Sequence, residues 1–204
     1  MSEPVANEPG SFVTVVSGLP RSGTSLMMQM LAAGGVPPLT DAQRTPDDSN
    51  PRGYLELEAV KRLKTDKSWL PEARGRAVKI IHLLLADLVG LPGLEFRVVM
   101  MRRPVGEVVA SQRAMLARQG RASAAVPDAQ LGKLFLDQLE RAERLLAGQA
   151  NFQVCPVHYP ALVADPAAEA ARLNAFLGGG LDEAAMVRAV DPALYREKLS
   201  SGQR

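Results

Sequence analysis

Residues 18–25, GLPRSGTS, place a cation and a hydroxyl between two glycines and two more hydroxyls after them, just after a β-branched run and just before an apolar helical one. A turn of this kind points backbone N–H groups at an anion, at the positive end of a helix dipole. Arg21 adds a fixed charge inside it. The bland alternative is a strand–turn–helix link with incidental glycines; the flanking elements and the hydroxyls favour the anion site. A second cluster lies in residues 97–111, RVVMMRRPVGEVVAS, where Arg102 and Arg103 close another β-branched run and Ser111 follows. A basic pair and a hydroxyl at the end of a buried strand suit a terminal phosphate. Alone, the pair would read as solvated surface arginines; next to the first loop it reads as a second anion site. Three more residues could do chemistry. Glu56 and His82 could each accept a proton, although Glu56 also suits a helix start and His82 a partly buried helix entry. Lys79 sits in an apolar strand, where an ammonium without an anion is costly.

The first loop has the spacing of a Walker A sequence, G-x-x-x-x-G-K-[ST], with Thr24 at the lysine position. Nucleoside triphosphatases use that lysine against the β- and γ-phosphates. Its replacement counts against ATP or GTP hydrolysis, as does the lack of a convincing acidic residue after a strand.

These groups need a scaffold. Residues 12–17 (FVTVVS), 77–81 (AVKII), 97–101 (RVVMM) and 152–157 read as buried strands, short and rich in β-branched residues. Helical patterns cover 25–35, stopped by Gly34 and Gly35, then 55–64, 104–118, 127–147, 166–177 and 182–190. Residues 36–53, with Pro37, Pro38, Pro46 and Pro51, read as a mobile loop long enough to be a lid. Strands alternating with helices predict an α/β fold, a three-layer sandwich around a parallel sheet, with ligands at the carboxyl ends of the strands.

Composition narrows the function. The 204 residues are 47% hydrophobic and 23% charged, as expected of one globular domain. A net charge of +2 implies neither a nucleic-acid nor a membrane partner, so any anion site must be local. The single cysteine, Cys155, rules out an internal disulfide and a cysteine-built metal cluster, and reads as a core residue. Residues 1–10 lack the charge and apolar pattern of a signal peptide and read as disordered; no apolar run approaches the roughly 20 residues that span a bilayer. A cytoplasmic protein without a metal is the expectation.

Residues 15–25, VVSGLPRSGTS, resemble the 5′-phosphosulfate loop of the sulfotransferases that use 3′-phosphoadenosine-5′-phosphosulfate (PAPS), in particular bacterial members with a P-R-S-G-T-S core. The resemblance implies a P-loop-like sulfotransferase fold, with Pro20, Arg21, Ser22, Gly23, Thr24 and Ser25 around the 5′-phosphosulfate. It puts Arg21 where many cytosolic members have a lysine that steadies the bridging oxygen. A fixed cation there stabilises the charge that develops as the sulfuryl group leaves, and an arginine would do so electrostatically. The strand–arginine–serine arrangement of residues 97–111 is similar to the family's 3′-phosphate motif. Arg103 keeps an eight-residue spacing to Ser111, with Glu107 between, while Arg102 fits an alignment on Pro104. Residues 50–56, NPRGYLE, resemble an N-P-x-G-Y-x-E segment of bacterial members and make Glu56 the acceptor-side base. The rival is the K-x-H strand end of cytosolic members, in which the histidine is the base and the lysine lies near the sulfuryl group. Here it is K-x-x-H, at Lys79 and His82. Further similarity, to Y-x-x-L-x-x-D-P, F-L-G and D-P-x-L-Y-R patterns, runs through residues 159–166, 176–178 and 191–196. The glycine-rich basic stretch over the 3′-phosphate of many cytosolic members has no clear counterpart; Arg196 and Lys198 are weak substitutes.

The resemblance implies transfer of a sulfuryl group from PAPS to a hydroxyl or amine of a small-molecule, glycan or peptide acceptor. The alternatives are a P-loop nucleotide-binding protein or kinase lacking the Walker lysine, and a non-catalytic protein that retains the fold.

Overall fold

The computed structural model describes residues 11–41, 43, 53–118, 120–121 and 126–195. Four parallel strands form one sheet in the order β2–β1–β3–β4: β1 (Val13–Gly18), β2 (Ala77–Lys79), β3 (Phe96–Arg102) and β4 (Phe152–His158). Helices α1 (Thr24–Ala33), α2 (Val105–Arg118), α3 (Asp128–Ala147), α4 (Tyr159–Ala164), α5 (Pro166–Phe176) and α6 (Glu183–Ala189) cover its faces. Side chains alternate across the pleat, so each central strand feeds two cores. Val13, Val15, Val98 and Met100 pack on one face with Leu139 and Leu146 of α3. Val16, Val99 and Met101 pack on the other with Met27 and Leu31 of α1, Leu173 of α5 and Met186 of α6. That is the three-layer α/β sandwich the residue pattern predicts. β1 and β3 are buried throughout except at the Arg102 end, as strands covered on both faces must be. β4 pairs only with β3 among the described residues, and it accommodates Pro156, which cannot donate to a ladder.

The chain leaves β1 to build β2 on one side and β3 on the other, so the connections diverge between β1 and β3. Ligands of open parallel sheets sit outside the strand ends at such a switch point. The loop after β1 and Arg103 after β3 both lie there.

Three differences from the sequence expectation bear on the site. Residues 55–64 form no α-helix; a 3₁₀ segment, Glu58–Arg62, is all that forms. Leu55 has φ 48°, which takes the backbone out of helical geometry, and the Glu58 N–H donates to the Asp41 carboxylate at 2.7 Å. The strand predicted for 77–81 ends at Lys79, and His82–Leu88 continues as a 3₁₀ helix. Of the loop predicted for 36–53, the first part is tied to the sheet by Leu39 N–H donating to the Ala77 carbonyl at 2.8 Å; residues 42 and 44–52 lie outside the described residues, as do 1–10.

Candidate functional site

The loop after β1 is shaped by three unusual backbone conformations, Gly18 at φ 149°, Arg21 at φ 67° and Gly23 at φ 100°. A Cβ on Gly23 would lie 2.3 Å from the Tyr159 ring, and one on Gly18 would lie 2.6 Å from the Met101 carbonyl oxygen. Both positions require glycine, for conformation and for space. Gly23 is the N-cap of α1 and brings no side-chain cap to the first-turn N–H groups. Ser22 is fully buried, and its Oγ has no hydrogen-bond partner among the described residues. Among the described residues two non-glycine positions have positive φ: Arg21 lines one cavity, and Leu55 lies between Tyr54 and Glu56, which line the same cavity. Such strain concentrates where a site imposes it. The cavity measures about 340 Å³, within the range of about 300–1,000 Å³ usual for small-ligand sites.

Arg21 reaches across the cavity rather than along its own loop. Its Nε donates to Ser111 Oγ at 3.1 Å, and its Nη1 lies 4.0 Å from Met115 Sδ. Arg103 Nη1 donates to the Arg21 carbonyl at 3.1 Å, and its Nε to Glu107 Oε2 at 2.9 Å. The structure thus brings Arg21, Arg103 and Ser111 together. Arg102 goes elsewhere: consecutive strand residues face opposite sides, and Arg102 forms a bidentate pair with Glu143 of α3, at 3.0 and 2.5 Å. It does not line the cavity. Of the two arginines left open by the sequence, Arg103 is the one at the site. Arg196 lies outside the described residues.

At the other end of the cavity, Lys79 Nζ donates to Ser25 Oγ at 3.0 Å, to Glu56 Oε1 at 3.0 Å and to the Tyr54 carbonyl at 3.2 Å. The Lys79 side chain is 11% exposed and that of Glu56 32%, so the pair is desolvated mainly on the lysine side. Pro20, Arg21, Gly23, Thr24, Ser25, Glu56 and Lys79 all line the cavity. Ser22 lies beneath the loop. His82 is buried behind it: Nδ1–H donates to the Gly18 carbonyl at 3.2 Å, and Nε2 meets the Gln138 side-chain amide oxygen at 3.1 Å. Both ring nitrogens are engaged with protein, and His82 does not line the cavity. It braces the loop from below.

Sequence reasoning gave no role to two tyrosines, and it named Glu107 only as the acidic residue between Arg103 and Ser111. Tyr159 and Tyr195 stand edge to face with centroids 4.9 Å apart, and each ring lies 5.0 Å from the Arg103 guanidinium carbon. Tyr195 OH meets both oxygens of Glu107, at 2.8 and 2.7 Å. Burial, then the Glu107 carboxylate, pushes the Tyr195 phenol up to about 12. Burial also raises Tyr159, against an opposing pull from Arg103. The available signals were the tyrosines of residues 159–166 and 191–196, and the four-residue spacing from Arg103 to Glu107.

A family profile described as Sulfotransferase family matches residues 95–183, which include β3, Arg103, Glu107, Ser111 and Tyr159. Over this stretch the chain is similar to that family. Solved structures agree on the fold. Sulfotransferase STF1 from Mycobacterium tuberculosis H37Rv superposes with a TM-score of 0.57 at 22% identity, covering 91% of this chain and 73% of that one. The sulfotransferase domain of the Synechococcus PCC 7002 olefin synthase gives 0.55 at 17% identity over 98% of this chain and 92% of its own. Mouse sulfotransferase SULT7A1, complexed with PAP, gives 0.56 at 16% identity over 95% and 72%. No curated protein matches the chain in sequence. The sulfotransferase fold is P-loop NTPase-like, as the loop after β1 implied. No described helix is long and apolar enough to cross a membrane, and the described residues contain no cluster of three or more metal-ligating side chains.

The site residues fit a bisphosphorylated nucleotide. The α1 N-terminus, Arg21 and Arg103 are spread along one cavity, as two separate anionic groups require. The unpartnered Ser22 hydroxyl adds a buried polar group under the loop. The Gln112 amide oxygen, also buried without a partner among the described residues, belongs to a residue of the cavity wall and could accept an N–H or O–H.

Proposed function

We propose that the protein transfers a sulfuryl group from PAPS to a hydroxyl or amine of an acceptor. The observation that carries this is the contact between Arg21 and Ser111, which merges the loop after β1 with the arginine–serine pair of β3 and α2. A single 5′-phosphate would need only one of those features.

In this reading the N–H groups of the α1 N-terminus, with Thr24 and Ser25, hold the 5′-phosphosulfate, and Arg103, Ser111 and Arg21 hold the 3′-phosphate. Because the Arg21 guanidinium is committed to Ser111, the cation at the reacting end is Lys79. Its ammonium lies between Ser25 of the loop and Glu56. The acceptor oxygen or nitrogen forms a bond to sulfur as the bond from sulfur to the bridging phosphate oxygen breaks. The acceptor proton passes to Glu56, and the electron pair leaves with adenosine 3′,5′-bisphosphate, its charge stabilised by Lys79 and the helix end. Lys79 also positions Glu56 as the base.

The acceptor in this reading is a small molecule, glycan or peptide rather than a nucleic acid or a membrane, in keeping with the small net charge, and the expected location is the cytoplasm. The test is incubation with PAPS and a panel of phenols, alcohols and amines, following release of adenosine 3′,5′-bisphosphate. Acceptor-dependent release supports the reading; binding of PAPS without release by any acceptor class would favour the non-catalytic alternative.

A further inference from the structure

Arg103 has an unexpected neighbour for a phosphate-binding arginine. The Glu107 carboxylate lies 2.9 Å from its Nε, and both side chains are almost fully buried, at 7% and 5% exposure. A buried carboxylate so close cancels much of the charge an incoming phosphate would meet. Three features of the surroundings limit that cancellation. Glu107 Oε2 meets the guanidinium at its Nε edge, while Nη1 is directed to the Arg21 carbonyl. The two tyrosine rings flank the guanidinium at 5.0 Å each, within cation–π distance. Tyr195 OH lies 2.8 and 2.7 Å from the two Glu107 oxygens, so one proton is shared between them.

We infer that Tyr195 is a positioning residue for Arg103: by holding Glu107, it leaves the arginine oriented and charged toward a terminal phosphate. The inference rests on the reading of this site as one for a bisphosphorylated nucleotide. Tyr195 is well built for the task. It follows a 3₁₀ turn, Pro192–Leu194, whose N-cap Asp191 accepts from the Ala193 N–H at 3.0 Å. The neighbouring Leu194 lines the cavity itself. The turn therefore brings a residue 88 positions away onto the α2 carboxylate. Tyr159, wedged against Gly23, closes the other side, so the loop, both rings, the arginine and the carboxylate form one connected stack. The phenol remains a donor through the neutral range, because burial and Glu107 hold it protonated.

The test is calorimetric titration of the wild-type chain and of Tyr195→Phe with adenosine 3′,5′-bisphosphate and with AMP. Phenylalanine keeps the ring contacts and removes only the hydroxyl. Tyr195→Phe should raise the Kd for the bisphosphate about tenfold, equivalent to about 1.4 kcal/mol, and leave that for AMP within about twofold. A residue that merely packs would lower the melting temperature and leave the ratio of the two constants unchanged. An unchanged ratio in Tyr195→Phe, with a wild type that prefers the bisphosphate, overturns the role of Tyr195 and leaves the nucleotide reading intact. A wild type with no preference for the bisphosphate overturns both.

Discussion

Arg21 and Ser111 are 90 residues apart in sequence, yet Arg21 Nε donates to Ser111 Oγ across 3.1 Å. One residue belongs to the loop after β1 and the other to the helix after β3. Their contact places the two anion-binding features on either side of the β1–β3 switch point and makes them parts of a single site. It also draws the Arg21 guanidinium away from the end of the cavity where Lys79 lies between Ser25 and Glu56.

The two arginines at the end of β3 should separate cleanly. Arg103→Ala should weaken binding of adenosine 3′,5′-bisphosphate by about 1.5–3 kcal/mol, the worth of a hydrogen bond to a charged group. Arg102→Ala breaks a partly exposed pair with Glu143 and should cost at most about 1 kcal/mol of stability, without altering the affinity. Calorimetry on both variants, with melting curves to confirm folding, checks this. A larger affinity loss for Arg102→Ala would assign the phosphate to the wrong face of the strand.

Glu56 and His82 make opposite predictions. Glu56→Gln should retain bisphosphate affinity and lower kcat by roughly 10²–10⁴, the usual reach of general base catalysis. His82→Ala removes a buried hydrogen bond to Gly18 and a partly buried one to Gln138 and should cost about 1–3 kcal/mol of stability for the buried partner left unsatisfied, while kcat of the folded fraction stays within a few-fold. Exchange of these outcomes would make His82 the base.

Gly23→Ala should be poorly tolerated. It places a Cβ 2.3 Å from the Tyr159 ring at a backbone φ of 100°. The loss should exceed about 1 kcal/mol of stability, since alanine is strained wherever φ is positive, and nucleotide binding should fall with it. Chemical denaturation of the variant provides the measurement; wild-type stability would mean that the loop and Tyr159 can separate without cost.

The Asp41 carboxylate gives a pH dependence with a definite sign. The Glu58 N–H holds it below the ordinary aspartate value against the opposing effect of burial, and the Gln43 N–H adds a weaker pull in the same direction. Its contribution is therefore present above the unfolded aspartate pKa and is lost as pH falls through the lower folded value. Protection of the Glu58 amide from hydrogen exchange, relative to its intrinsic rate at each pH, should fall below about pH 4, the ordinary aspartate range, and Asp41→Asn should remove most of that pH dependence. Protection that does not change with pH in the wild type would show that the carboxylate does not anchor this segment.

Much of this was legible in the sequence. The runs at 12–17, 97–101 and 152–157 became strands because β-branched residues bounded by turns have few other stable solutions, and the glycine-rich turn announced its own helix. What escaped depended on contacts between distant residues. Residues 55–64 look helical locally, but the Leu55 backbone and the Asp41 carboxylate redirect them. The choice between Arg102 and Arg103 is one of pleat parity, which an alignment ambiguous by one residue cannot settle. Glu107 resembles an ordinary helix-surface partner of Arg103 until Tyr195 is brought onto it from the far end of the chain.

A further consequence of Lys79 bears on metal use. In a Walker loop the serine or threonine at the Ser25 position ligates Mg²⁺. Here Ser25 Oγ lies 3.0 Å from an ammonium, which would repel a divalent ion. The most direct measurement is therefore titration of the chain, in EDTA, with adenosine 3′,5′-bisphosphate, beside parallel titrations with AMP in EDTA and with ATP in Mg²⁺. The account predicts that the bisphosphate binds without metal and at least about tenfold more tightly than AMP, a difference of about 1.4 kcal/mol for the second anion site. Equal binding of the bisphosphate and AMP, or tighter binding of ATP with Mg²⁺, would contradict it.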